Sequence, residues 1–139
     1  MKEQDIKRLA EFFRQRKDIK VAYIFGSEAK GSAGKLSDVD IAISVDETLS
    51  RKNYLGLKLS ILGEVSSILK TDKIDLVIMN NAPLLLNYNI IKYGKLLTSD
   101  ETERARLETK ILSQHLDRKP ILEKRTSANL KKIARAGLE

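Results

Sequence analysis

Val21-Ala22-Tyr23-Ile24-Phe25-Gly26-Ser27 and, ten residues further on, Asp38-Val39-Asp40-Ile41-Ala42-Ile43-Ser44-Val45 are the stretches that decide how this chain is read. Each carries a short apolar run rich in β-branched or aromatic residues, the pattern of a strand. Gly26-Ser27 then falls at the end of the first strand, a turn whose backbone N–H groups can hold phosphate. Side chains at i and i+2 of a strand share a face, so Asp38 and Asp40 project together while Val39 and Ile41 turn to the other side.

Two carboxylates about 5 Å apart, at an effective dielectric of about 20, repel by roughly 3 kcal/mol. A divalent cation offsets that naturally, and a hard ion such as Mg²⁺ favours one or two carboxylates together with phosphate oxygens and water. The phosphate turn and the acid pair therefore explain each other. A two-metal site needs another ligand near the reacting oxygens. Lys73-Ile74-Asp75-Leu76-Val77-Ile78-Met79 supplies a candidate, because Asp75 is a charge inside a short buried-strand pattern. If that strand lies beside the one carrying Asp38 and Asp40, all three acids meet.

The G-S-x10-D-x-D pattern with a later strand aspartate resembles the nucleotidyltransferase superfamily that includes DNA polymerase β. The short length resembles its minimal branch, the MNT proteins. The likeness continues through Ile74-Asp75-Leu76-Val77-Ile78-Met79-Asn80-Asn81-Ala82-Pro83-Leu84-Leu85 and Ile90-Ile91-Lys92-Tyr93-Gly94-Lys95-Leu96-Leu97, a segment similar to MNT antitoxins encoded beside HEPN ribonuclease toxins. It covers most of residues 19 to 125.

The resemblance implies a nucleotidyltransferase fold, a small mixed β-sheet flanked by helices with C-terminal helices beyond it. It implies that Gly26 and Ser27 grip the nucleotide, that Asp38, Asp40 and Asp75 are the catalytic and metal-binding acids, and that Asp75 faces the attacking hydroxyl. The implied cofactor is Mg²⁺, as two ions, and the implied donor is ATP. By the same resemblance AMP passes to a tyrosine hydroxyl of a cognate HEPN toxin, which would be the partner in a hetero-oligomer. Two other readings stand beside this one: an antitoxin that acts by binding alone, and nucleotidyl transfer to a small molecule such as an aminoglycoside. Where many family members carry arginine this chain has Lys30, which keeps the charge but loses the bidentate fork.

Composition fits a single domain. With 139 residues, 42% hydrophobic and 32% charged, the chain can bury a real core and is expected to leave no room for a second substrate domain. The absence of cysteine excludes disulfides, thiolate metal sites and thiol catalysis, and suits a reducing compartment. No apolar stretch has membrane-spanning length and Met1-Lys2-Glu3-Gln4-Asp5 is no secretory signal, so a cytoplasmic location is expected.

The elements alternate in an α/β (α+β) plan: helix 3–17, strand 20–26, strand 39–45, helix 50–70, strand 73–79, helix 82–93 and a short edge strand 95–98. In the long middle helix Leu55, Leu59, Leu62, Val65 and Leu69 keep helical spacing, with Ser50 as a cap. Pro83 suits a helix start and Gly94 a helix stop. Residues 1–100 are expected to form the minimal nucleotidyltransferase domain and 101–139 a basic C-terminal helical extension packed on it. In that extension Glu101–Leu116 reads as a charged helix with Leu107, Ile111 and Leu112 on one side, and Pro120 as the start of a second helix through Arg135.

The formal net charge is +7, and between Arg118 and Arg135 seven Lys or Arg stand against Glu123 alone, a net of +6. Such a surface suits an acidic partner, protein or nucleic acid. Aromatic residues are only 5% of the chain and none interleaves the basic run, which disfavours single-strand stacking and leaves a protein partner preferred. His115 is the only histidine, with no cysteine or second histidine to build a zinc site. HEPN nucleases resemble one another in an Arg and a His separated by four to six residues; here eight lie between Arg106 and His115, so the chain does not resemble the toxin. Tyr23, Tyr54, Tyr88 and Tyr93 read as core or interface residues rather than catalytic ones, with self-modification of a tyrosine hydroxyl as the alternative.

Overall fold

The computed structural model describes residues 2–26 and 38–125, and Ser27, Lys30 and the last basic residues to Arg135 lie outside them. The described residues form α1 (Glu3–Arg14), β1 (Ile19–Phe25), β2 (Val39–Val45), α2 (Tyr54–Leu69), β3 (Ile74–Ile78), α3 (Leu84–Tyr93), β4 (Lys95–Ser99) and α4 (Glu101–Arg125). The four strands make one mixed sheet in the order β3-β2-β1-β4. β1 pairs antiparallel with both β2 and β4, and β2 pairs parallel with β3. A parallel neighbour requires a crossover, and α2 provides it.

Alternation along the strands divides the core in two. On one face Ala22, Ile24, Val39, Ile41, Ile43, Val45, Leu76 and Ile78 are buried against Leu9 and Phe13 of α1 and Ile61 and Val65 of α2. On the other, Val21, Tyr23 and Ala42 meet Ile90 of α3 and Ile111 of α4. α1 follows from its sequence: Ile6, Leu9 and Phe13 lie on one helical stripe, while Glu3 and Asp5 in its first turn and Arg14 in its last suit the helix dipole. It stops three residues before the expected 17, where Arg16 turns its guanidinium onto Asp18 at 2.9 Å.

Several expectations are corrected. The middle helix begins at Tyr54, after a 3-10 turn over Arg51–Asn53, and the Ser50 side chain makes no capping bond. Ile61 and Val65 are buried and Leu57, Leu62, Ile68 and Leu69 pack partly buried on the same core, as expected for Leu62, Val65 and Leu69, whereas Leu55 and Leu59 are 66% and 60% exposed. The segment has apolar residues on nearly every side, so spacing alone did not select the face that meets the sheet. Gly94 does end α3, but its φ of −74° is ordinary. Glycine is needed there for space, because a Cβ would run into the Ile90 carbonyl oxygen and come within 3.3 Å of that of Ile24.

α4 carries Ile111 and Leu107 into the core, but Leu112 is 44% exposed rather than on the buried side. α4 also runs through Pro120 without a new start. His115 packs by stacking on Tyr88, with ring centres 3.9 Å apart and planes 12° from parallel.

Side-chain hydrogen bonds fix both ends of the second layer. Asn80 behaves as one further residue of the β3 ladder: it accepts from the Val45 N–H and donates to the Val45 carbonyl, both at 2.9 Å. The buried Tyr23 hydroxyl donates to Glu108 Oε2 at 2.7 Å, and Arg104 Nε donates to the same oxygen at 3.2 Å. Burial, and then the neighbouring carboxylate, hold the Tyr23 phenol well above its usual range, so it stays a donor. Tyr23→Phe is expected to lower stability by about 1.5–3 kcal/mol, the worth of a hydrogen bond to a charged group. Urea unfolding checks it, and an unchanged midpoint would show that α4 does not depend on this bond.

Candidate active site

Asp40 and Asp75 are brought together by the parallel pairing of β2 with β3. In that register Asp40 stands opposite Asp75, as Val39 stands opposite Ile74 and Ile41 opposite Leu76. Asp38 immediately precedes β2, and alternation puts it on the Asp40 side while Val39 is buried beneath. Asp38 and Asp75 are exposed and Asp40 is half-buried. The three expected acids thus gather at one end of one sheet face, beyond the part that α3 and α4 cover.

Gly26 completes this end from the other side. Phe25, the last residue of β1, pairs with Asp40, and Gly26 then turns with φ of +73°. A Cβ at Gly26 would collide with Asp40 Oδ2. Glycine is therefore required twice, by a left-handed backbone and by a carboxylate lying against it. Ser27, expected to share the phosphate grip, is outside the described residues.

Electrostatics mark Asp40 as the strained member. Partial burial first, then the charges of Asp75 and Asp38, raise its affinity for a proton above the ordinary carboxylate value. Among the described residues no group of three or more His, Cys, Asp or Glu side chains is arranged to hold a metal ion. The donor set nevertheless fits a hard cation: oxygen ligands only, carrying an excess of negative charge, on an open end where phosphate oxygens and water can supply the remaining positions. Asp38, Asp40 and Asp75 are the groups that would hold it.

A concavity of about 670 Å³ lies at the far end of β2 and is lined by Val45, Asp46, Tyr54, Asn80, Asn87 and Lys110 among others. Five residues of strand separate Val45 from Asp40, about 17 Å at the usual rise, so this cleft is not the acid site. Tyr93, read from the sequence as core or interface, is not in the core. It is 56% exposed at the end of α3.

Two outcomes test this geometry. Gly26→Ala is expected to lose about 1–2 kcal/mol from the left-handed backbone alone, and to displace Asp40; a variant as stable as the parent would mean that the turn readily relaxes. For Asp40 the folded-state pKa is raised, so its favourable contribution is present below the ordinary value of 3.8 and lost as pH rises through the folded value. Asp40→Asn should therefore melt higher than the parent at neutral pH, with the gap closing in acid. Melting curves across pH decide this, and a variant less stable at pH 7 would show the carboxylate to be structural.

The polymerase β nucleotidyltransferase family model matches residues 7–103. No curated protein matches the chain. Among solved structures, a toxin–antitoxin with AMP-PNP is similar at 25% identity and a TM-score of 0.65, over 91% of this chain and 99% of that one. The MNT antitoxin complex of a tri-AMPylated Shewanella oneidensis HEPN toxin follows at 22% identity and 0.62, over 91% and 99%. The MntA–HepT toxin–antitoxin gives 22% and 0.61, over 90% and 99%. At the lower identities the likeness is one of fold. A match spanning the sheet, its crossover helix and the strands that carry the acids means that this chain belongs to the polymerase β nucleotidyltransferase family.

Proposed function

We propose that the chain is an antitoxin that transfers AMP from ATP to a tyrosine hydroxyl of a cognate HEPN ribonuclease toxin, and thereby neutralises it in the cytoplasm. The observation that carries this reading is the register of β2 and β3, which sets Asp40 opposite Asp75 with Asp38 beside them. Support also comes from similarity to a toxin–antitoxin with AMP-PNP and, in fold, to the antitoxin of a tri-AMPylated HEPN toxin.

In this reading the backbone at Gly26, with Ser27, holds the triphosphate, and Asp38, Asp40 and Asp75 hold magnesium. Bound Mg²⁺ would supply charge neutralisation for the phosphates and a lowered pKa for the acceptor hydroxyl. Asp75, at the exposed edge strand, orients that hydroxyl or takes its proton. Asp40, pressed between Gly26 and Asp75, fixes the spacing of the set. Residues 1–100 would be the transferase unit, and 101–139 the basic extension through which the partner is engaged.

The charge excess at the acids predicts that Mg²⁺ raises the melting temperature of the parent more than that of Asp40→Asn. For activity, the purified chain is mixed with the product of its neighbouring gene, ATP and Mg²⁺, and the neighbour is weighed by intact mass spectrometry. The expected result is an AMP adduct on a tyrosine, lost in a folded Asp38→Asn variant. No adduct with any of the four nucleotides would sink the proposal. Neutralisation by an Asp38→Asn, Asp40→Asn double variant as effective as the parent would instead establish an antitoxin that acts by binding.

A further inference from the structure

α4 carries a face that the packing of the sheet does not use. Ile111 and Leu107 in the core, with the bond from Tyr23 to Glu108, fix which side of the helix meets the sheet. At about 100° per residue, Thr102, Ala105, Thr109, Leu112, Ser113 and Leu116 fall on one arc about 100° wide, turned well away from that side. All six are exposed, Leu112 and Leu116 at 44% and 60%. Seven of the seventeen residues from Glu101 to Asp117 are charged, yet none stands on this arc. The outward face of a helix ordinarily carries the charges; here an outward face is kept free of them.

Residue size is ordered along the arc. Ala105 and Thr109 are small, and Leu112 and Leu116 after them are large. A second α4 laid antiparallel, about a two-fold axis between residues 110 and 111, sets Leu116 against Ala105 and Leu112 against Thr109. Each leucine then enters the space above a small residue, the alternation that close packing needs. A parallel copy in register sets leucine on leucine and leaves a gap between the small pairs. Charge agrees with the antiparallel arrangement. Arg106 and Asp117 border the arc on one flank, both exposed, and in the two-fold pair Arg106 of one copy lies about 3 Å along the axis from Asp117 of the other. The Arg106 ion pair with Glu103 is long, at 3.5 Å, so the guanidinium can serve a second acid.

We propose that this face binds a second copy of the chain, the two α4 helices packing antiparallel as an isologous pair. The arc ends before the basic run that begins at Arg118, and the inference does not draw on the transferase reading. Three turns of helix make a contact well below the size of a permanent interface, so the dimer forms and dissociates with concentration.

Sedimentation velocity of the full chain, from low micromolar to millimolar concentration, tests this. The expected result is a monomer–dimer exchange that Leu112→Glu and Leu116→Glu each abolish with unchanged circular dichroism, both positions being exposed. Asp117→Arg should weaken the dimer, and adding Arg106→Glu to that variant should restore it. The chain has no cysteine of its own, so an oxidised mixture of Ala105→Cys and Leu116→Cys chains reads the register. The mixed disulfide should form ahead of either symmetric one, because like positions lie about 16 Å apart along the axis. A chain that stays monomeric throughout, a dimer indifferent to both leucine variants, or symmetric disulfides forming as fast as the mixed one overturns the proposal. So does a monomer whose Leu112→Glu variant no longer holds the product of the neighbouring gene, which gives the face to a different protein.

Discussion

The parallel pairing of β2 with β3 is the constraint on which everything else depends. It sets Asp40 directly opposite Asp75, although like charges across a ladder are unfavourable. The opposite face makes the arrangement affordable. There Ile41, Ile43 and Leu76 are essentially fully buried, each contributing about 1.5–3 kcal/mol, against roughly 3 kcal/mol for a pair of carboxylates about 5 Å apart. A one-residue slip would send every one of those side chains to the wrong face. The apolar register thus holds the acids together against their own repulsion.

The second layer determines how much of the acid-bearing face stays open. Ile90 and Ile111 cover Val21, Tyr23 and Ala42 in the middle of the sheet, and the small Ala42 lets the helices come close. Tyr23, Glu108 and Arg104 then tie α4 to β1. At one end Asn80 continues the ladder and a cleft opens beside it. At the other, α3 is stopped by close packing of Gly94 on β1. Asp38 and Asp75 remain exposed as a result, and Asp40 only half-buried.

What was legible in the sequence was what local periodicity encodes. The i, i+2 relation of Asp38 and Asp40 needs only an extended backbone, and the meeting with Asp75 needed only the one further condition that the two strands be neighbours. Features that depend on non-local packing were less accessible. α2 is apolar nearly all round, so nothing in its pattern distinguished Leu55 and Leu59 from Ile61 and Val65. Leu112 sits next to the buried Ile111 but one helical step round, outside the packed stripe. Gly94 reads as a helix stop and is one, but its close contact with the Ile90 and Ile24 carbonyls is not in the local pattern. Gly26 is the reverse case: its turn was readable, but the Asp40 carboxylate lying against it appears only in three dimensions.

Among the described residues Asp38 and Asp75 are exposed at the acid end, and that bears on the choice of acceptor. Selective small-molecule sites are concave and bury most of their ligand; among the described residues, the cleft beside Val45 lies about 17 Å from Asp40 by strand rise. The described residues around the carboxylates offer edges of strands and the end of α3. A hydroxyl delivered there would have to be positioned chiefly by the body that carries it. Effective molarity rewards such positioning with a large part of a reaction barrier, so a folded protein presenting a tyrosine can supply the order that a freely tumbling small molecule would lack. This favours a macromolecular acceptor on the proposed reading, and it makes the fit between two protein surfaces a component of the chemistry.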